Sequence, residues 1–501
     1  MKLTIDTTTK GTLYAKHWHV CVGGGRVGEA LRADFQKHLE MIQEEIGFQY
    51  IRMHGLFHED MMVYREDQGH PIFNFQYVDL VFDHWLAHDI RPFVEFGFMP
   101  YDLASDTHSV FWWKGNITPP KDWKRWELLI QKFMEHIINR YGIAEIRTWY
   151  FEVWNEPNLE EFWKNADFEA YMELYERTVK VIKSIDEDFM VGGPASSGTS
   201  RNPGVAPWQK EFFQACADRN LPLDFFSTHP YPSMHPVDLE GKGYMVLDKP
   251  ERFFSDIKQI AKAVEKSEFP NVERHYTEWN SSPSPRDRFH DTAFMAPCII
   301  YNNWKGRGFF DSLSYWAVSD IFEEGRLGDT CFHGGFGLVN VQGLKKPSYH
   351  GYWFLSQLGD EELESGDSYA ITRRMDGSLC ILLWNYVHYN ELGKDSRNTE
   401  RGDLYSLFQK AQPLQFELEF SKLADRVRIQ RTRFDREHGS VYDTWLEMGS
   451  PEPPLLEDME VLRRKQECCM DVKRYGTEQG NLTVSEQVAP HGVTMLEITA
   501  E

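Results

Sequence analysis

From about residue 15 to about residue 325 the chain alternates two kinds of segment. Short runs of β-branched and aromatic residues are followed by longer stretches whose apolar residues recur every three or four positions. Parallel strands cannot be joined by a tight turn. They need a long crossover, and an amphipathic helix is the crossover that buries one face. Eight such strand segments can be counted: Ala15–Val20, Phe48–Met53, Pro92–Phe96, Thr148–Trp154, Phe189–Gly192, Asp224–Thr228, Glu273–Thr277 and Leu313–Val318. The intervening stretches have the matching period. Between the fourth and fifth segments, Phe168, Tyr171, Met172, Tyr175, Val179, Ile182 and Ile185 fall on one helical face, with Asp167 placed as the N-cap. Eight β/α units in roughly 310 residues fit an α/β fold of the (β/α)8 TIM-barrel type over 15–335. A doubly wound sheet is the alternative. It would not explain why polar residues collect at the C-terminal ends of so many different strands.

After about residue 345 the spacing changes to that of an antiparallel β-sandwich, an accessory unit over 345–501. Ser368–Arg374 and Ser378–Tyr386 flank Asp376-Gly377, a type I′ hairpin signal. Leu414–Phe420, Arg426–Phe434 and Val493–Thr499 follow, and the proline- and charge-containing stretch 439–471 reads as loop or short helix. Residues 1–14 include a strand-like Leu3-Thr4-Ile5-Asp6 that could join the sandwich.

A net charge of −23 without any basic stripe argues against nucleic acid as a partner. The seven cysteines show neither zinc-ligand spacing nor C-x-x-C, which fits reduced thiols in a cytoplasmic protein. The first residues contain no apolar signal core, and no apolar run is long enough for a membrane span. No H-E-x-x-H, EF-hand or Walker pattern occurs, so no metal and no cofactor is expected.

Two glutamates at strand ends carry the chemistry. Glu156 lies in Trp154-Asn155-Glu156-Pro157, and Glu278 lies in Tyr276-Thr277-Glu278-Trp279-Asn280. Two carboxylates at the mouth of one barrel are what glycosidic bond cleavage needs, one protonated and one ionised. Pro157 should stop the strand and hold Glu156 extended. Trp154 should supply an apolar wall that raises its pKa. A surface Glu before Pro would look the same in isolation; the pair, on the fourth and seventh strands, is what coincidence explains poorly.

Trp154-Asn155-Glu156-Pro157 resembles the acid/base motif of the clan A retaining glycosidases. The whole chain resembles glycoside hydrolase family 39, the β-xylosidase and α-L-iduronidase family. The further segments that carry this are Phe111-Trp112-Trp113-Lys114-Gly115-Asn116-Ile117-Thr118-Pro119-Pro120, Ser227-Thr228-His229-Pro230-Tyr231-Pro232 and Phe332-His333-Gly334-Gly335-Phe336-Gly337-Leu338. The resemblance implies Glu156 as acid/base and Glu278 as nucleophile. It implies an exo-acting β-xylosidase that trims xylo-oligosaccharides and assembles as a homo-oligomer, such as a tetramer.

Around these two residues, Asn155 could donate to the sugar 2-OH, His229 could bind a sugar hydroxyl, and Tyr231 could donate to the nucleophile. His54 and Arg52 end the second strand, where Arg52 either keeps Glu278 charged or forms a structural ion pair. Trp316 could stack under the sugar or belong to the barrel core. Glu323 matches a family position that binds sugar hydroxyls, with Glu324 as its adjacent competitor. Trp112 or Trp113 should line the pocket. Gly23-Gly24-Gly25 lacks the dinucleotide spacing and reads as a loop after the first strand, with backbone close to a sugar. An α-L-iduronidase would need an added cationic cluster for its substrate's carboxylate, and only Lys114 keeps that open. A non-catalytic sugar-binding barrel would typically have lost one carboxylate.

Overall fold

The structure is a computed structural model that describes residues 1–198, 207–235, 242, 244–322, 324–325, 327–399 and 402–501. Among these, eight parallel strands close a barrel: β1 Cys21–Arg26, β2 Tyr50–His54, β3 Arg91–Phe96, β4 Tyr150–Val153, β5 Met190–Ser197, β6 Phe225–His229, β7 Glu273–Trp279 and β8 Ser312–Tyr315. The ring is shut by the pairing of Tyr315 on β8 with Val22 on β1. The helix after β4 spans Phe168–Ile185, and the Asp167 carboxylate accepts the Ala170 amide at 3.1 Å. Its apolar face, Tyr171, Met172, Tyr175, Val179 and Ile182, is buried against the barrel.

The first strand differs from the reading of the sequence. Residues 17–19 form a single 3-10 turn, and the strand is Cys21–Arg26, glycines included. Glycine is needed there for space. A Cβ on Gly23 would lie 2.2 Å from Cε3 of Trp316, and one on Gly24 would lie 2.7 Å from Cγ of Met53. The glycines thus admit protein side chains and form a strand despite their weak propensity.

The second unit packs two sheets face to face. Seven strands form one: Thr12–Leu13, β9 Glu361–Ser365, β10 Tyr369–Arg373, β11 Leu379–Trp384, β16 Val493–Ala500, β13 Arg426–Phe434 and β14 Cys469–Gly476, in that spatial order. The other holds Lys2–Asp6, β12 Leu414–Ser421 and β15 Leu482–Val488, with Lys2–Asp6 parallel to β12. Leu3, Ile5, Ile381, Leu418, Ile429 and Leu496 meet between them in one apolar layer. Helix Pro347–Ser356, although it follows residue 345, buries Tyr349, Tyr352 and Leu355 in the barrel's own core.

The β10–β11 hairpin is not the two-residue type I′ turn. Arg373 pairs with Leu379, so the loop is longer. The Gly377 amide donates to the Arg374 carbonyl at 2.9 Å, and of Asp376 and Gly377 only the glycine has positive φ, at +86°. That is a three-residue loop with glycine in the left-handed position. Stretch 439–471 contains helices Val441–Glu447 and Leu456–Lys465. All seven cysteines are unpaired; five are buried, and Cys468 and Cys469 are half-buried. Among the described residues no helix is long and apolar enough to cross a membrane.

Candidate active site

Charged side chains fill the C-terminal half of the barrel. Arg52 on β2 has no solvent exposure and lies at the centre. Its Nε donates to Glu152 at 2.6 Å, Nη1 to Glu278 at 2.8 Å and Nη2 to Asn155 Oδ1 at 2.8 Å, with Glu95 2.9 Å from Nη2. Burial opposes its charge, but Glu152, Glu95 and Glu278 outweigh that and raise its pKa. His54, two residues on, meets Glu95 through Nδ1 at 2.7 Å; its Nε2 lies 3.3 Å from Glu324 and 3.6 Å from Glu278. Burial again opposes the charge, yet the surrounding carboxylates lift His54 to about 10, so it is an imidazolium at neutral pH.

The two glutamates converge. An oxygen of Glu156, a ring nitrogen of His229 and an oxygen of Glu278 all lie within 4.8 Å of one another. Both glutamates are buried, at 7% and 6% exposure. Burial raises Glu156 to about 7, against a hydrogen bond from Ser197 and the charges of His54 and Arg52. Burial also raises Glu278, opposed by His229, Arg52 and His54. Tyr231 donates its hydroxyl to Glu278 Oε2 at 3.1 Å.

Accounting for donors around His229 fixes a proton. The Thr277 hydroxyl has one hydrogen and gives it to the Glu152 carboxylate at 3.0 Å. Thr277 Oγ1 must then accept from His229, whose Nε2 lies 3.1 Å away. His229 is pushed down to about 4 by burial, despite nearby Glu278, and is neutral. With its hydrogen on Nε2, its Nδ1 is an acceptor, and the atom 2.8 Å from Nδ1 is Glu156 Oε1. Glu156 therefore holds the proton and donates it to His229. The chain Glu152–Thr277–His229 keeps Glu156 an acid, while Arg52 and Tyr231 surround Glu278 with donors.

Glu156, His229, Glu278 and Tyr231 face a cavity of about 410 Å³, walled on its apolar side by Trp316, Phe162, Leu159 and Phe336. Trp316, seated in the space left by Gly23, also packs on His54 with ring centroids 4.7 Å apart. His54, Asn155, Glu156, His229, Tyr231, Glu278 and Trp316 all line this cavity. Glu323 lies outside the described residues, and its neighbour Glu324 lines the cavity beside His54.

Four details differ from the expectation. Glu156 is not extended before Pro157. Its φ is +44°, held by the hydrogen bond its N–H donates to the Ala195 carbonyl at 3.0 Å and by His229 at its carboxylate, so tertiary contacts override the local preference. Trp154 does not wall the cavity. It packs behind the loop on Trp163 and Phe98, and its indole N–H donates to the Phe162 carbonyl at 2.8 Å. His229 has both ring nitrogens engaged by protein, which leaves neither for a sugar hydroxyl. Trp112 is 48% exposed, Trp113 packs on His58 and Phe98, and neither lines the cavity. Glu95, Glu152 and Thr277 were not singled out as site residues. The available signal was a carboxylate inside an apolar strand, as in Pro92-Phe93-Val94-Glu95-Phe96.

The comparisons with known proteins agree with this geometry. The model of Glycosyl hydrolases family 39 matches residues 1–483. A β-xylosidase of Geobacillus stearothermophilus is 40% identical over 493 residues, covering 97% of this chain and 93% of that protein. A β-xylosidase of Caldicellulosiruptor saccharolyticus is 34% identical, covering 99% and 98%. The crystal structure of a monomeric β-xylosidase from Caulobacter crescentus CB15 superposes with a TM-score of 0.91 at 30% identity, covering 99% of each chain. With the family matched along nearly its whole length and two buried carboxylates at the barrel mouth, this chain belongs to glycoside hydrolase family 39 and is a glycosidase.

Proposed function

We propose that the protein is a retaining exo-β-1,4-xylosidase that removes xylose from the non-reducing end of xylo-oligosaccharides. The observation that carries this reading is the short spacing of Glu156 and Glu278, with a proton assigned to the first and two donors, Arg52 and Tyr231, on the second. Retaining enzymes hold their carboxyl groups about 5–5.5 Å apart, against about 6.5–9.5 Å for inverting ones. In the proposed reaction Glu278 attacks the anomeric carbon while Glu156 protonates the departing oxygen. Glu156, a carboxylate once its proton has left with the departing alcohol, then takes a proton from the water that attacks the anomeric carbon, and the bond to Glu278 breaks to release the sugar and restore both glutamates.

Asn155, whose Oδ1 is held by Arg52, has its amide nitrogen left to donate to the sugar 2-OH. Charged His54 and Glu324 would bind further hydroxyls, and Trp316 would face the ring's apolar side. A uronic acid fits less well. No Lys or Arg is among the described residues lining the cavity, and Lys114 is exposed outside it. Seven unpaired cysteines support a reducing, cytoplasmic setting. We divide the chain into a catalytic barrel, 15–335 with helix Pro347–Ser356, and an accessory sandwich of 1–14 and the remainder of 345–501. A homo-oligomer is the assembly implied by resemblance. Because the Caulobacter relative is described as monomeric, light scattering of the full chain decides that point.

A panel of nitrophenyl glycosides should give turnover on the β-xyloside far above that on the α-L-iduronide. Proton NMR in the first minutes should show β-xylose before α-xylose. Initial release of the α-anomer would refute the roles given to both glutamates.

A further inference from the structure

Outside the barrel mouth one other cluster of metal-ligating side chains converges among the described residues, on the barrel's outer surface. Glu40 stands on helix Ala33–Glu45, which follows β1. His84 stands in the last turn of helix Gln76–Ala87, which follows β2, and His88 comes one residue after that helix ends. One donor atom from each lies within 4.8 Å of the other two. His84 Nε2 is 3.1 Å from Glu40 Oε1 and His88 Nε2 is 3.9 Å from the same oxygen, with the two rings 4.5 Å apart. A tetrahedral ion with ligands at about 2.0–2.1 Å sets donors about 3.4 Å apart. Modest rotations of the three side chains therefore reach that arrangement.

Two further features bear on an ion. His88 Nδ1 lies 2.8 Å from the His84 carbonyl, which can only accept, so His88 carries its hydrogen there. Its Nε2 then faces the Glu40 carboxylate at 3.9 Å, a separation that a cation between the two atoms would bridge. A backbone acceptor behind the ring is also how proteins orient histidine ligands. His84 Nδ1 is buried with no hydrogen-bond partner, so the ring can carry its hydrogen there when Nε2 takes an ion. Side-chain exposures of 16% for His84, 31% for His88 and 40% for Glu40 leave a route from solvent.

We propose that Glu40, His84 and His88 form a site for a divalent first-row transition-metal ion such as Zn²⁺, which ties the first two outer helices of the barrel together. Two imidazoles and one carboxylate select such an ion over Ca²⁺ or Mg²⁺, which favour oxygen ligands alone. Water completes the coordination. The ion binds the folded arrangement of two helices and stabilises it by mass action; it takes no part in sugar cleavage.

The test uses the full-length protein after chelation and dialysis, titrated with Zn²⁺ by calorimetry and with Co²⁺ by visible absorption. The wild type should bind one equivalent at this site. His84→Ala and His88→Ala should each weaken binding by at least about 10-fold, the least that changes around metal ligands usually cost. Zn²⁺ should raise the melting temperature of the wild type by a few degrees and leave both variants unmoved. Unchanged turnover of a xyloside checks that the variants are folded. Glu156, His229 and Glu278 also converge and could take an ion, so Glu278→Gln is the control and should bind Zn²⁺ as the wild type does. A wild type that binds no ion would overturn the proposal. So would equal binding by wild type and His88→Ala, or binding lost in Glu278→Gln and kept in the histidine variants.

Discussion

The two ends of the barrel are built from the same strands and could hardly differ more. At the N-terminal end, Phe93, Tyr150 and Phe225 pack into a plug with Cys21, Tyr50 and His275, the Phe93 and Tyr150 rings stacked at 4.9 Å. Two residues further along β2, β3 and β4 stand Arg52, Glu95 and Glu152, all without appreciable exposure. One layer uses apolar burial, which stabilises by roughly 25 cal/mol per Å². The next buries Arg52 with Glu95 and Glu152, ion pairs whose desolvation their pairing offsets only in part. The plug supplies stability so that the mouth can hold charge where water would otherwise be.

If the mouth serves the proposed chemistry, removing the nucleophile proposed for it should leave a folded and nearly inert protein. Glu278→Ala should lower turnover by about 10⁵-fold, or some 7 kcal/mol of barrier, with the melting temperature little changed. In the wild type a 2-fluoro-xyloside should label Glu278, and peptide mapping that put the label elsewhere would break the assignment.

The plug should behave in the opposite sense. Phe93→Ala should cost about 3–5 kcal/mol in stability, read by denaturant titration, because the ring leaves a cavity among Tyr150, Phe225 and His275. At a temperature where the variant stays folded, kcat/KM should remain within about twofold of the wild type. A loss of activity as large as that of the mouth variant would erase the contrast.

A third measurement asks what the mouth costs. Glu156 is raised from the ordinary carboxyl value to about 7 in the folded chain. Between the unfolded and folded values the native state binds the extra proton, so stability falls as pH rises through that window. Glu156→Gln keeps a donor for His229 and removes the titration. It should therefore gain stability over the wild type by up to roughly 3 kcal/mol at pH 8. That gain should shrink toward zero near pH 4. Parallel stability curves for the two proteins would show that this carboxyl is not raised in the folded chain.

The smallest effect tests the proton chain. Thr277→Val removes the acceptor for His229 Nε2 while keeping shape. The imidazole should then carry its hydrogen on Nδ1 and donate to Glu156, which favours the carboxylate. The basic limb of kcat/KM should move down from about 7 by about one pH unit. An unmoved limb with unchanged KM would show that Thr277 does not set the state of Glu156.

Much of this contrast was legible before any coordinates, and the exceptions have physical reasons. Seven of the eight barrel strands overlap the sequence reading because a parallel strand buried on both faces is a continuous apolar run. β1 did not read as a strand because its middle is three glycines, whose role appears only when Trp316 arrives from β8. Asp167 read correctly as a cap because capping is local. The turn at Gly377 did not, since loop length is set by the register of Arg373 with Leu379. β14 went unseen because it is a polar edge strand held by backbone pairing with β13. In the site, the two glutamates stood out as carboxylates at strand ends. The partners of His229 could not be read, because Glu156 lies beyond β4 and Thr277 on β7, and which nitrogen faces which oxygen is a fact of three dimensions.

One pairing has a bearing on how the chain is made. Lys2 lies opposite Glu417 and Asp6 opposite Ser421, so this strand leaves the ribosome more than four hundred residues ahead of its partner. Until then Leu3 and Ile5 have no β12 to pair with, and the barrel can form while that segment waits. The sandwich is therefore the last part to close. It closes around an early strand and a late one, so a ribosome that stalls before residue 414 releases a chain whose N-terminal strand has nothing to pair with.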